Sequence, residues 1–483
     1  MDFEYQGRRP SLFLSLVPIA VLIAFLIINV VLFKDDATGG PNQLALFFSA
    51  LVTLFLGWKF LRVSYQSMEE QMISSIAHSL QACLILLLVG ALIGVWIVSG
   101  IVPTMIYYGL EIINPSFFLP IACITCALVA ISTGSSWSTT GTVGIALIGM
   151  GQALGIPEGM VAGAIISGAY FGDKMSPMSD TTNLAPAMAG TDLFTHIRHM
   201  VYSSLPAFLI ALAGFMLLSF FYGGQDASVS TVSDLTAAMK TNFRISPFLL
   251  LVPCCLVFMV AKKIPALPAM AMGIFAGIFF AVLFQLPLLE KMSGGNAGIS
   301  GIYMEIVRVA ASGFKIDSGH EIMDGLFNRG GMSSMLQTIW LIMMAMIFGG
   351  ALEATGMLAV LASSMLRLVS GTASLLSTVV ASCLLLNITV SDQYLAIVVP
   401  GRMFRDSFDK FGLHAKNLSR ALEDSGTVTS VLVPWNSCGA YNAGVLGVST
   451  LTYLPFCFFN LASPLMSILL AVTGFTIEKK SVE

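Results

Sequence analysis

The chain has 483 residues, of which 56% are hydrophobic and only 10% charged, with a mean hydropathy of +0.87. A soluble domain carries about 25% charged residues, so this composition excludes a soluble enzyme or binding module. It points to an all-α polytopic membrane protein made of repeated apolar stretches of about 20 residues. The net charge of −3 is confined to loops and says nothing of nucleic acid.

At the N-terminus, Arg8-Arg9 precedes an apolar run, 11–33, that is too long for a cleavable signal and has no small-residue cleavage site. It reads as the first spanning helix, and with 43–61 it makes up an N-terminal unit, 1–65. The next span is 76–99. Region 115–196 is apolar but interrupted, and it reads as a re-entrant hairpin (115–155) followed by a broken helix (157–196). The hairpin tip carries Thr133, Ser135, Ser136, Trp137, Ser138, Thr139 and Thr140. The break carries Asp173, Lys174, Ser176, Pro177, Ser179, Asp180, Thr181, Thr182 and Asn183. Each centrally placed charge in a bilayer costs roughly 3 kcal/mol, so these groups must be buried in protein or line a wet cavity. His196 and His199, beside Arg198, suit either interfacial anchors or a cytoplasmic pH sensor.

Apolar spans 200–221, 246–261 and 266–286 follow, and 222–330 reads as connecting helices and external loops. Span 333–352 ends at Glu353, placed either inside the membrane or at its cytoplasmic edge. Region 371–447 is interrupted like 115–196, with a hairpin at 371–403 and a broken helix at 417–447. Its tip offers Asn387, Thr389, Ser391 and Asp392. Its break offers Thr427, Thr429, Asn436, Ser437 and Asn442, preceded by Glu423 and Asp424. Between them, 402–416 interleaves phenylalanines with charges, as an amphipathic interfacial turn does. The last span is 449–475. Eight cysteines lie in or beside apolar segments. Cys123 and Cys126 have CxxC spacing but no second pair or histidine cluster, so packing is expected of them and not metal binding.

The two interrupted regions are related. A constant offset of 257 positions pairs Gly144 with Gly401, Gly155 with Gly412, Pro177 with Pro434, Gly190 with Gly447 and Thr195 with Thr452. Upstream, Gly90-Ala91-Leu92 matches Gly350-Ala351-Leu352. This predicts a duplicated unit, roughly 70–221 and 330–477. Lys and Arg in short loops mark the cytoplasmic side: Arg8-Arg9, Lys59 and Arg62, Arg198, Lys262-Lys263, the stretch 402–420 and Lys479-Lys480. Asp35-Asp36, loop 222–243 and loop 287–332 are then external, and both termini are cytoplasmic. With that threading the two units are inverted, the architecture of secondary transporters with discontinuous helices at the midplane.

Hydroxyls, amide oxygens and freed carbonyls beside a carboxylate suit a hard cation such as sodium. The expected cation and proton site therefore gathers Asp173, Asp180 and Asp392 with Thr133, Ser135, Ser179, Thr181, Asn183, Thr389, Ser391, Asn436 and Ser437. Burial favours a neutral carboxyl and a bound cation favours an ionised one. Proton and sodium then compete for one group, and alternating access turns competition into antiport. Other roles remain open: a structural ion pair of Asp173 or Lys174 with a partner from another helix, and helix caps for Asp180 and Asp392. Glu353, Glu423 and Asp424 are accessory candidates, the last two as entrance or salt-bridge groups.

The stretch Gly168-Ala-Tyr-Phe-Gly-Asp-Lys-Met-Ser-Pro-Met-Ser-Asp-Thr-Thr-Asn-Leu-Ala-Pro186, followed by Gly190-Thr-Asp-Leu-Phe-Thr-His-Ile-Arg198, resembles the signature of the NhaC-type sodium/proton antiporter family. The resemblance continues through Glu423-Asp-Ser-Gly-Thr427 and Pro434-Trp-Asn-Ser437. It implies a multi-pass secondary transporter of a bacterial inner membrane, with sodium and protons as its ions and no cofactor. The family also includes members resembling a malate/lactate exchanger and members suspected of amino-acid transport, so the motif leaves the substrate open. With an organic substrate, Trp137, Trp435 and Asn442 would be contacts. Expected partners are membrane lipid and small cations, or an organic anion or amino acid, with room for a homodimer and none for nucleic acid.

Overall fold

A computed structural model describes residues 7–33, 39–112, 114–222, 229–262, 264–294 and 298–480. Among these the chain is helical, without a β-strand and with a single isolated bridge between Leu413 and Lys479. Asp35, Asp36 and Lys263, used above for orientation, lie outside the described residues.

Eight helices are long and apolar enough to cross a bilayer, or ten if two sharply bent pairs count as spans. The protein is therefore a multi-pass membrane protein. Its outer helices show the same: Phe13, Ile27, Val31 and Leu32 on Leu12–Phe33, and Phe275 and Phe279 on Ala266–Phe284, are exposed to the surroundings. Apolar surface of that extent is stable only against lipid.

Several boundaries differ from the sequence reading. The span placed at 76–99 starts at Tyr65, because Ser64 accepts the Ser67 N–H at 3.1 Å and opens the helix there. Its first turns carry Gln66, Glu69 and Glu70, so hydropathy alone conceals them. The final span bends by 58° between Thr450–Phe456 and Phe458–Thr473, where Pro455 removes a backbone donor. Region 222–243 contains the helix Val229–Asn242, and 287–332 contains Ile299–Ser312 and Glu321–Phe327. The interfacial turn expected at 402–416 is largely the end of the helix Gln393–Lys410.

The internal duplication is written into the backbone. At the offset of 257, helices Glu158–Met175 and Asp180–Ala189 recur as 415–432 and Ser437–Leu446, and 136–153 recurs as Gln393–Lys410. Left-handed residues recur as well: Gly134 (φ +66°) with Ser391 (φ +64°), Gly155 (φ +70°) with Gly412 (φ +65°), and Gly190 (φ +86°) with Gly447 (φ +71°). So do the caps. Ser135 accepts the Ser138 N–H at 3.1 Å as Asp392 accepts that of Leu395 at 3.0 Å. Asp192 serves Thr195 as Ser449 serves Thr452, at 2.9 and 3.3 Å. A side-chain oxygen at each Ncap satisfies a first-turn amide that the helix leaves free.

Each tip rests on the break of its own unit. Ser176 Oγ donates to the Ile131 carbonyl at 2.8 Å in the first, and Ser437 N–H donates to the Ser391 carbonyl at 3.0 Å in the second. The first tip then meets the second broken helix across the molecule, where Tyr441 OH donates to the Trp137 carbonyl at 2.8 Å and their rings stack at 4.1 Å.

Candidate functional site

The sequence Asp173-Lys174-Met175-Ser176-Pro177 ends a helix for a local reason. Pro177 disfavours helical geometry in the residue before it, and Ser176 is extended (φ −89°, ψ 128°). Helix resumes at Asp180, with Ser179 as cap accepting the Thr182 N–H at 3.4 Å. Four residues of non-helical backbone are thus held inside the protein. Thr182 Oγ1 donates to the freed Lys174 carbonyl at 3.1 Å, and Asn183 Nδ2 to the carbonyls of Pro177 and Ser179 at 3.0 and 2.7 Å.

A cavity of about 560 Å³ opens onto this break. Asp173, Asp180 and Asp392 all line it, with Thr133, Ser135, Ser136 and Trp137 from the first tip, Ser179, Thr181 and Asn183 from the break, and Ser437 from the second unit. Asp173 is 8% exposed, and its Oδ2 accepts the Ser136 hydroxyl at 2.7 Å, so the tip of the hairpin holds the carboxylate of the broken helix. Asp180 is exposed to the cavity, and Asp392 is half-buried while capping its helix. The cap role and the wall position of Asp392 coexist, since a carboxylate has four acceptor sites and the Leu395 amide occupies one.

The three aspartates do not form one ligand set. Among the described residues no group of three His, Cys, Asp or Glu side chains is close enough to share a metal ion. Asp173 instead has the Ser136 hydroxyl as its partner, in a wall rich in hydroxyl side chains, the surroundings that suit a monovalent hard cation. The cavity wall holds three carboxylates and His78, and among its described residues neither lysine nor arginine. Its charge therefore favours cations.

Lys174 does not pair with its neighbour Asp173. It reaches the second unit, where it forms an ion pair with Asp424, donates to Ser463 Oγ at 3.1 Å and lies 5.8 Å from the Phe459 ring centre. Ser203 Oγ donates to the same Asp424 oxygen at 2.9 Å. Glu423 is likewise completely buried, where its Oε1 accepts the Thr181 hydroxyl at 3.0 Å. Neither acid is at an entrance. Both sit on the π-helical turn Glu423–Thr427, a widened turn that aims consecutive side chains in different directions.

Other expected residues lie away from the cavity wall. Asn436 Nδ2 donates to the Asn387 main-chain and side-chain oxygens, both at 3.1 Å, and ties the second break to its tip. Thr389 bonds back to the Leu385 carbonyl at 2.8 Å, and Ser391 is buried behind Asp392. Trp435 donates to the Ile388 carbonyl at 2.7 Å, and Asn442 to the Cys438 carbonyl at 2.9 Å. These are packing contacts within the second unit. Glu353 ends the helix Leu336–Ala354, apart from the cluster. His196 is buried against Ser419.

Sequence reasoning missed His78, Gln81, Gln393 and Tyr394, all of which line the cavity. His78, Asp392 and Tyr394 also border a second space of about 180 Å³ behind it. Gln393 and Tyr394 follow Asp392 directly, so the hairpin offset could have found them. His78 lies in a long helix with no local signal.

A model of the Na+/H+ antiporter family matches residues 168–475. Over 476 residues the chain is 36% identical to the Na(+)/H(+) antiporter NhaC of Alkalihalophilus pseudofirmus, covering 98% of each chain. It is 38% identical to the malate-2H(+)/Na(+)-lactate antiporter of Bacillus subtilis, covering 97% of this chain and 96% of that one. It is 34% identical to the arginine/ornithine antiporter ArcD of Halobacterium salinarum, covering 100% and 96%.

Proposed function

This chain belongs to the Na+/H+ antiporter family, a transporter and not an enzyme, and on that footing we propose that it exchanges sodium for protons by alternating access at the cavity aspartates. The observation that carries this reading is the Asp173 carboxylate, held by the Ser136 hydroxyl and facing a cavity with three acids and no described lysine or arginine. Sodium entering that site is met by an ionised Asp173 and hydroxyl oxygens, with Asp180 and Asp392 attracting it from the walls. A proton on Asp173 removes the charge that binds sodium, so each ion displaces the other.

The sequence divides into inverted repeats at 70–221 and 330–477, with 1–65 and 222–330 as added helices. The location is a bacterial inner membrane with cytoplasmic termini. Support for the C-terminal side comes from the tail: Lys480 Nζ lies 2.8 Å from Asp409 Oδ1, and the Glu478 carbonyl accepts the His414 N–H at 2.9 Å. The tail is thus tied to the basic stretch 402–420. The cavity wall includes Ile264, Pro265 and Ala266, next to basic Lys262, so the cavity faces the cytoplasm in this conformation.

A second reading rests on size. A cavity of about 560 Å³ falls in the range that small-molecule sites occupy, far larger than one ion requires. Two of the relatives are named for organic substrates. Three carboxylates disfavour a free dicarboxylate, so an organic substrate here would be an amine-bearing one, or an acid entering with protons or sodium.

Proteoliposomes with a preset pH gradient separate the two. Sodium alone collapses the gradient under the first reading. A collapse that requires an added amino acid or carboxylate establishes the second and removes the first.

A further inference from the structure

Behind the cavity wall lies a carboxyl group that the exchange at Asp173 does not use. Glu423 is completely buried; its Oε1 takes the Thr181 hydroxyl at 3.0 Å, and its Oε2 has no hydrogen-bond partner. Thr181 itself lines the cavity, and its hydroxyl lies 3.2 Å from that of Ser179, another wall residue. A continuous row of oxygens therefore runs from the cavity, through Ser179 and Thr181, to Glu423.

The charges around Glu423 are few. Lys174 and Asp173 face it from the helix Glu158–Met175, Cys383 from Thr372–Thr389, and Thr427 from its own turn, with Asp424 the next residue. Lys174 is a nearby cation, and Asp424 already holds it in an ion pair. The buried Arg420 guanidinium also acts on Asp424, so both neighbouring cations are engaged there and Glu423 has no ion-pair partner among the described residues. An unpaired buried charge is among the costliest groups a protein can hold.

We propose that Glu423 is a second proton-carrying site of the exchange, loaded and emptied through the Ser179–Thr181 hydroxyl row and distinct from the cation site at Asp173. The transfer balances without an ionised intermediate persisting. Thr181 Oγ1 passes its proton to the ionised Glu423 Oε1 and takes one from Ser179 Oγ, which takes the proton of a hydronium in the cavity and leaves water behind. Reversal requires only that both hydroxyls rotate, since each has one donor and two acceptor positions. Sodium bound at Asp173 is the trigger for release: it adds positive charge beside a protonated Glu423 and favours departure of its proton to the cavity.

This inference rests on the sodium/proton reading, and the test distinguishes the two. In proteoliposomes, radioactive sodium flux and proton flux are measured together, and their ratio is taken for wild type, Glu423→Gln, Thr181→Val and Thr181→Ser. The expected protons moved per sodium fall to half of wild type or less in Glu423→Gln and in Thr181→Val, and return to wild type in Thr181→Ser. A merely structural Glu423 slows both fluxes together and leaves the ratio unchanged, and that result overturns the proposal. Where Glu423→Gln does not fold, an unchanged ratio in Thr181→Val overturns it equally. Wild-type protein with no sodium-linked proton flux at all removes the exchange reading, and this inference with it.

Discussion

At the scale of single residues, the centre of the molecule separates two kinds of charge. Asp173 faces the cavity and a hydroxyl, while Lys174, next in sequence, turns into a buried ion pair with Asp424. Breaking one partner of a buried pair leaves an uncompensated charge and costs about 3–5 kcal/mol, whereas replacing both by apolar groups is often neutral. Lys174→Met and Asp424→Leu are therefore each expected to lower the melting temperature in detergent strongly. The double variant should recover most of the loss, and a double variant as unstable as the singles would refute the pairing. Ser136→Ala removes one hydrogen bond to a charged group, worth about 1.5–3 kcal/mol. The expected effect on sodium concentration dependence is a shift of about ten- to a hundredfold, read from sodium-driven proton flux. The Lys174–Asp424 pairing had no signature in the sequence, because the partners are 250 residues apart and belong to different units. His78 was hidden for a similar reason, as a lone polar residue on a helix whose cavity-facing side only packing defines.

At the scale of elements, the duplication was legible because caps and left-handed turns depend on local residue types. Glycines at 155, 190, 412 and 447 punctuate both units in register, and the structure uses all four at positive φ. Trp435, a contact only if the substrate is organic, shows the complementary limit: its ring could turn either way, and its hydrogen bond to the Ile388 carbonyl is visible only in the fold. The tips give a paired prediction. A Cβ at Gly134 would lie 2.7 Å from the Met178 backbone carbon, at a φ of +66°. Gly134→Ala should therefore push the tip off the break and weaken sodium dependence. Its counterpart Ser391 already carries a side chain at φ +64°, a conformation costing about 1–2 kcal/mol outside glycine. Ser391→Gly should raise the melting temperature and keep transport. Loss of sodium affinity in Ser391→Gly would instead make its hydroxyl a ligand.

At the scale of the whole molecule, the broken helices and hairpin tips of both units converge on one acidic cavity, enclosed by long apolar helices exposed to lipid. If it faces the cytoplasm as proposed, Ala82→Cys on its wall should react with a membrane-impermeant thiol reagent from the cytoplasmic side, above the background of the natural cysteines. Sodium should slow that reaction, and labelling only from outside would reverse the orientation. Competition between proton and sodium at Asp173 should release protons when sodium binds. Purified protein in weakly buffered solution is titrated with sodium chloride, with choline chloride as control. Wild type should release protons in a saturable manner, and Asp173→Asn, correctly folded, should release none. Release from Asp173→Asn equal to that of wild type would contradict competition at Asp173.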